Sequence, residues 1–163
     1  IILKKFFLLS TRRLLIIIII EMEKKEIRIN KRDLLFVLQK RLPEIDYFLD
    51  LENGEIIPVF EITKEDFERL QKSFPNRFYK ISAFSGKETF FIVKNFVNLI
   101  KDKKIREEII NNLKEKATYK NFKETLKKYD KEWQEWLLYE REELLKYFKK
   151  KIEEKFSLNI HFV

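Results

Sequence analysis

Three groups of side chains have types and spacings that can do chemistry. Asp50, Glu52 and Glu55 crowd around an Asn53-Gly54 pair. Asp50 and Glu52 are two positions apart, so on a strand they share a face. Paired carboxylates can hold a hard divalent cation or work as an acid and base. The plainer reading makes them solvated turn residues, and no further ligand stands at a meaningful spacing, so no metal site is assigned. The second group centres on Glu140, four residues after Trp136 and four before Leu144, inside the apolar stripe of a long helical pattern. A carboxylate there must be paired or must reach out to water. Lys123 is its natural partner if two successive helices form a hairpin. The same geometry admits a polar pocket of Tyr119, Lys120, Lys123, Trp136 and Glu140. The third group is a basic helical face made of Lys114, Lys116, Lys120, Lys123, Lys127 and Lys128.

Composition removes several alternatives. There is no cysteine, hence no disulfide framework and no thiolate chemistry. His161 is the only histidine, and the plain reading makes it a tail residue, so one copy has no imidazole cluster for zinc. Two glycines cannot supply the Gly-rich turns that bring backbone against phosphate, and no cofactor is expected. None of the serines stands in a nucleophile elbow. The 16 phenylalanines and two tryptophans recur at helical spacing, which favours core packing over a nucleic-acid stacking platform.

The formal charge is +8, which permits nucleic-acid binding without demanding it. Its distribution is uneven. Residues 44–68 carry nine acidic residues and one lysine, whereas 98–131 carry eleven basic and six acidic residues. Such a dipole can orient a protein partner or head-to-tail self-association, or set a basic face against nucleic acid.

The elements that position these groups follow from local pattern. Residues 1–21 precede the only methionine, Met22, and read as an upstream or extraneous segment. Arg12 and Arg13 interrupt the segment's apolar run, so no membrane span is expected. Without 1–21 the charge falls to +5, because four Lys/Arg and one Glu go with it. Residues 22–163 then form a single α+β domain. Glu26–Ile29 predicts a short strand, and Asn30 caps a helix with Leu34, Val37 and Leu38 on its apolar face. Residues 45–60 predict a hairpin with a tight turn at Asn53-Gly54, and Pro58 puts its second strand at an edge. Thr63 is expected to cap a helix with Asp66 as its reciprocal acid. Residues 77–81 complete a small antiparallel sheet. Amphipathic patterns follow at 88–100, 103–116, 119–129 and 131–156, then a short strand at 158–163. The expected architecture is that small sheet packed with four or five helices, the C-terminal half being helical.

Three stretches resemble a known family, the bacterial uncharacterised protein family numbered 0158. They are Tyr47-Phe48-Leu49-Asp50-Leu51-Glu52-Asn53-Gly54-Glu55, Arg77-Phe78-Tyr79-Lys80-Ile81, and Ala117 through Leu126 followed by Trp136 and Glu140. They are similar to that family's FLDLETGE hairpin, its Arg-Tyr-x-x-Ile/Val strand and its Gly-Ala-Phe-Arg-Arg-Phe-Lys-Asp-x-Leu stretch. The resemblance runs from about Ile27 to Glu154. Where the family has a glycine this chain has Lys116, and the family's paired arginines stand here as Lys120 and Asn121, which weakens any bidentate grip on an anion. The resemblance implies no established activity.

With no catalytic constellation and no cofactor motif, the expected function is that of a non-enzymatic cytoplasmic interaction or regulatory protein. Its partner is an unknown protein or a second copy. The alternatives are a nucleic-acid-binding protein using the basic face and an enzyme with carboxylate chemistry at Asp50, Glu52 or Glu140.

Overall fold

The computed structural model describes residues 24–115 and 118–163. The expectation for residues 1–21, and Lys116 of the basic face, lie outside the described residues.

Strand β1 (Lys25–Ile29) leads into α1 (Lys31–Lys40), where Asn30 Oδ1 accepts from the Arg32 and Asp33 amides at 2.9 and 3.1 Å. This is the cap expected from the sequence. Strands β2 (Asp46–Asp50) and β3 (Ile56–Val59) form the hairpin, and β4 (Phe78–Lys80) pairs with the other side of β2. All three are antiparallel with β2 central, and Pro58 lies on edge strand β3. β2 is buried on both faces. Tyr47 and Leu49 join the largest core cluster, while Phe48 turns the other way to meet Phe67 of α2 (Lys64–Ser73) at a ring-centroid distance of 4.6 Å.

The hairpin turns at Asn53-Gly54 as expected, within a four-residue loop. Only Gly54 is left-handed, at φ 83°, and four residues separate Asp50 from Glu55. The Gly54 amide returns to the Asp50 carbonyl at 2.8 Å, and the Asp50 amide donates to the Glu55 carbonyl at 2.9 Å. Asp50 and Asn53 cause the longer loop, because their side-chain oxygens accept from the Glu52 and Glu55 amides. Thr63 departs from expectation. Its hydroxyl closes a 3₁₀ turn at Glu61–Thr63 by bonding to Phe60 and makes no side-chain cap on α2.

Helix α3 (Gly86–Leu99) starts at a reciprocal Ser85–Glu88 capping box. Helices α4 (Lys103–Glu115), α5 (Tyr119–Leu126) and α6 (Asp130–Phe156) follow. α6 has 27 residues, about 40 Å at the usual rise, and serves two cores. Its first half, with Trp136 and Leu144, packs with α3, α4 and α5. Its second half, with Leu145, Phe148 and Ile152, packs with β1, α1 and the β2 face. Ser157, left-handed at φ 53°, ends it. Strand β5 (Leu158–Phe162) then lies parallel to β1, pairing Lys25 with Leu158 through Ile29 with Phe162. Both strands were expected; their partnership was not. The α+β architecture thus contains a two-stranded parallel sheet beside the three-stranded antiparallel one.

Candidate functional site

The junction of α1, α3, α5 and α6 holds the candidate polar site. Thr118 caps α5 through the Asn121 amide and so sets Tyr119 at its first position. Phe122 and Leu126, one and two turns on along α5, are buried, and the Phe122 ring centroid lies 4.8 Å from that of Trp136, as the stripe match between α5 and α6 predicts. Tyr119 stacks beside Phe122, and its hydroxyl donates a short hydrogen bond to Glu140 Oε1. The other carboxylate oxygen of Glu140 accepts from Gln39 Nε2 of α1 at 3.0 Å. Glu140 is therefore held by two neutral donors. The expected Lys123–Glu140 ion pair does not form; the Lys123 ammonium lies 4.3 Å from the centroid of the Tyr119 ring. A neutral phenol satisfies a half-buried carboxylate without desolvating a second charge, which favours this arrangement.

Burial pushes the Tyr119 pKa far above the ordinary tyrosine value, and the bonded Glu140 carboxylate adds to the rise. Trp136 acts the other way, its N–H favouring the phenolate, but the two groups do not reach hydrogen-bond geometry. Trp136 is 1% exposed, and its Nε1 is a buried donor without a hydrogen-bond partner among the described residues. A cavity of about 430 Å³ opens beside these groups. Tyr119, Lys123, Trp136 and Glu140 all line it, together with Gln39, Lys40 and Arg141. Lys120 does not. Its side chain is 85% exposed and pairs with Glu124 one turn on. Gln39 carried no signal in the sequence, since it is an exposed-face residue of a helix distant in the chain.

The carboxylate cluster at the hairpin is a latch. Asp50, 2% exposed, receives Arg77 side-on, with Nε 3.0 and 3.1 Å from its two oxygens and Nη2 2.7 Å from Oδ2. Arg77 also pairs with Glu52 and stacks against Phe74 and Phe78. Burial pushes the Asp50 carboxyl up, but the Arg77 hydrogen bonds and charge, with the Glu52 amide, overcome it and hold Asp50 below the usual aspartate value. Glu55 accepts from Asn53 Nδ2 at 3.0 Å. Among the described residues, no three His, Cys, Asp or Glu side chains gather as a metal site would need.

The basic face is largely engaged with its own helices. Lys128 pairs with Glu108 at 3.1 Å, Lys127 lies 5.3 Å from the Trp133 ring centroid, and Lys114 is exposed near the end of α4. His161 is exposed on β5, 3.8 Å from Glu26. No helix among the described residues is long and apolar enough to cross a membrane.

No solved structure matches the chain. A protein of family UPF0158 from Pseudomonas aeruginosa is 25% identical over 121 residues, covering 74% of this chain and 78% of that one. The model of that family matches residues 22–160 and spans the hairpin, its Arg77 latch and the Tyr119–Glu140 junction alike, so the chain belongs to the uncharacterised protein family UPF0158.

Proposed function

We propose that this chain is a non-enzymatic cytoplasmic interaction protein that docks a basic, partly apolar protein surface through its hairpin-and-α2 module. One observation carries the reading. Ile62 is 92% exposed on the 3₁₀ turn that enters α2, and Phe60, Leu70 and Phe74 of the same stretch are 40–48% exposed. These apolar groups lie among Glu61, Glu65, Asp66 and Glu68, at the end of the acidic 44–68 region, with Lys64 and Arg69 paired to three of those carboxylates. The anchors supply affinity, and the acidic excess of the wider 44–68 region steers a partner of opposite sign.

The test compares the wild-type chain with a double variant, Ile62→Asp with Glu61→Lys, as bait in a bacterial extract. Partners that bind the wild type, elute with salt and are lost from the double variant support the reading. Identical capture by both baits overturns it. Sedimentation of the purified chain separates a foreign partner from a second copy that presents its own 98–131 region. Binding of labelled DNA or RNA that falls steeply with added salt would move the reading to nucleic acid.

A further inference from the structure

The cavity beside Trp136 has a charge balance that its neighbours do not settle. Three cations line it: Lys40 at the end of α1, Lys123 on α5 and Arg141 on α6. Among the described residues none of the three has a carboxylate within 4.0 Å, whereas Lys120, Lys128 and Lys131 each do. The only anion in the lining, Glu140, has both oxygens taken by Tyr119 and Gln39. The cavity therefore carries a surplus of positive charge, and beside it the buried Trp136 N–H reaches hydrogen-bond geometry with no acceptor among the described residues, the Tyr119 hydroxyl included. An unsatisfied buried N–H is destabilising, so an acceptor placed against it adds affinity.

Apart from Thr89, the rest of the lining is apolar, with Leu38, Phe84, Ile92, Leu137 and Leu144 among it. Phe84, Thr89 and Tyr119 also border a second cavity of about 230 Å³ that continues toward Phe90, Leu113 and Phe122. Acceptor-seeking groups thus stand next to an apolar recess, at a volume typical of small-molecule sites.

We infer that this junction binds a small organic anion with an apolar body, a carboxylate whose head meets Lys123, Arg141 and the Trp136 N–H while its hydrocarbon enters the recess. This site is independent of the acidic docking surface, since it is built from α1, α3, α5 and α6. Lys123 is already positioned by the Tyr119 ring, so its charge is held without a counter-ion. Gln39 and Tyr119 keep Glu140 occupied, which lowers its repulsion of an incoming carboxylate.

The chain has two tryptophans, Trp133 and Trp136, and both line the cavity, so intrinsic fluorescence reports its occupancy directly. Octanoate and the neutral analogue octanol are titrated into the full chain while emission is followed. Octanoate is expected to shift the emission and to bind about tenfold or more tightly than octanol. Lys123→Met keeps the stem over the Tyr119 ring and removes only the charge; with Arg141→Met it is expected to weaken octanoate about tenfold and to leave octanol unchanged. Trp136→Phe is expected to weaken octanoate with Trp133 as the remaining reporter, and Lys72→Met on α2 to change nothing. Circular dichroism checks that each variant is folded. Equal affinity for octanoate and octanol overturns the inference. So does octanoate binding that survives both cation substitutions, or no emission change with octanoate at millimolar concentration.

Discussion

The Tyr119 hydroxyl donates to Glu140 Oε1, joining the first turn of α5 to the middle of α6. Because Gln39 holds the other oxygen, this one carboxylate ties three helices together.

Removing that donor should be costly in a specific way. Tyr119→Phe leaves a half-buried carboxylate oxygen without its partner and is expected to destabilise the fold by about 1–3 kcal/mol. A double-mutant cycle with Glu140→Gln should return a coupling of about 1–2 kcal/mol, whereas Lys123→Met with Glu140→Gln should be close to additive. The pH dependence has a definite sign. The folded-state pKa of Tyr119 is raised, so its contribution is fully present below the ordinary tyrosine value of 10.0 and is lost as pH climbs past that toward the folded value. Denaturant unfolding at alkaline pH should therefore show a steeper loss for the wild type than for Tyr119→Phe. Parallel curves would remove the assignment.

The Asp50 latch behaves oppositely. Its folded-state pKa is lowered from the ordinary 3.8, so its contribution is present above that value and disappears as pH falls through the folded one. Asp50→Asn at neutral pH is expected to cost about 2–3 kcal/mol, below the figure for a fully desolvated pair because the Arg77 side chain is 29% exposed. The gap between wild type and Asp50→Asn should close under strong acid. A gap that persists unchanged at low pH would mean that the carboxylate charge is not what the latch uses.

Gly54 stands against the backbone of β1. A Cβ at this position would come within 2.1 Å of the Arg28 carbonyl oxygen, and the residue is also left-handed. Gly54→Ala is expected to destabilise by about 3 kcal/mol, combining overpacking with the left-handed penalty. Thermal unfolding checks it; a loss below about 1 kcal/mol would mean that the hairpin loop can shift away from β1.

Local features were legible from the chain. The Asn30 cap, the β2–β3 hairpin and the Trp136–Leu144–Phe148–Ile152 stripe each follow from residues within one or two turns of each other, where spacing and cap chemistry act directly. The α5–α6 contact at Phe122 and Trp136 was legible too, because a short connection leaves few ways to pack two striped helices. What failed was long-range or was decided by the chemistry of competing partners. Nothing local to Glu140 encodes Gln39, and the choice of Tyr119 over Lys123 depends on desolvation, which spacing does not reveal. Arg77 lay in view within its strand, yet its role becomes plain only when β4 is laid beside β2. The hairpin at Asn53-Gly54 was legible, but the length of its loop was not, because Asp50 and Asn53 spend their side chains on backbone amides.

The parallel pairing of β1 with β5 has a kinetic consequence. Nearly the whole described chain lies between the two strands, so their closure demands the largest loop entropy in the molecule. The hairpin and the α5–α6 contact close over short loops and can be in place long before it. Ile27, Ile29, Leu158 and Ile160, all buried in the large core, must therefore wait for one another with their apolar surface in water. The last step of folding becomes the docking of two strand segments onto a scaffold that already exists, and substitutions at these four isoleucine and leucine positions should speed unfolding far more than they slow folding.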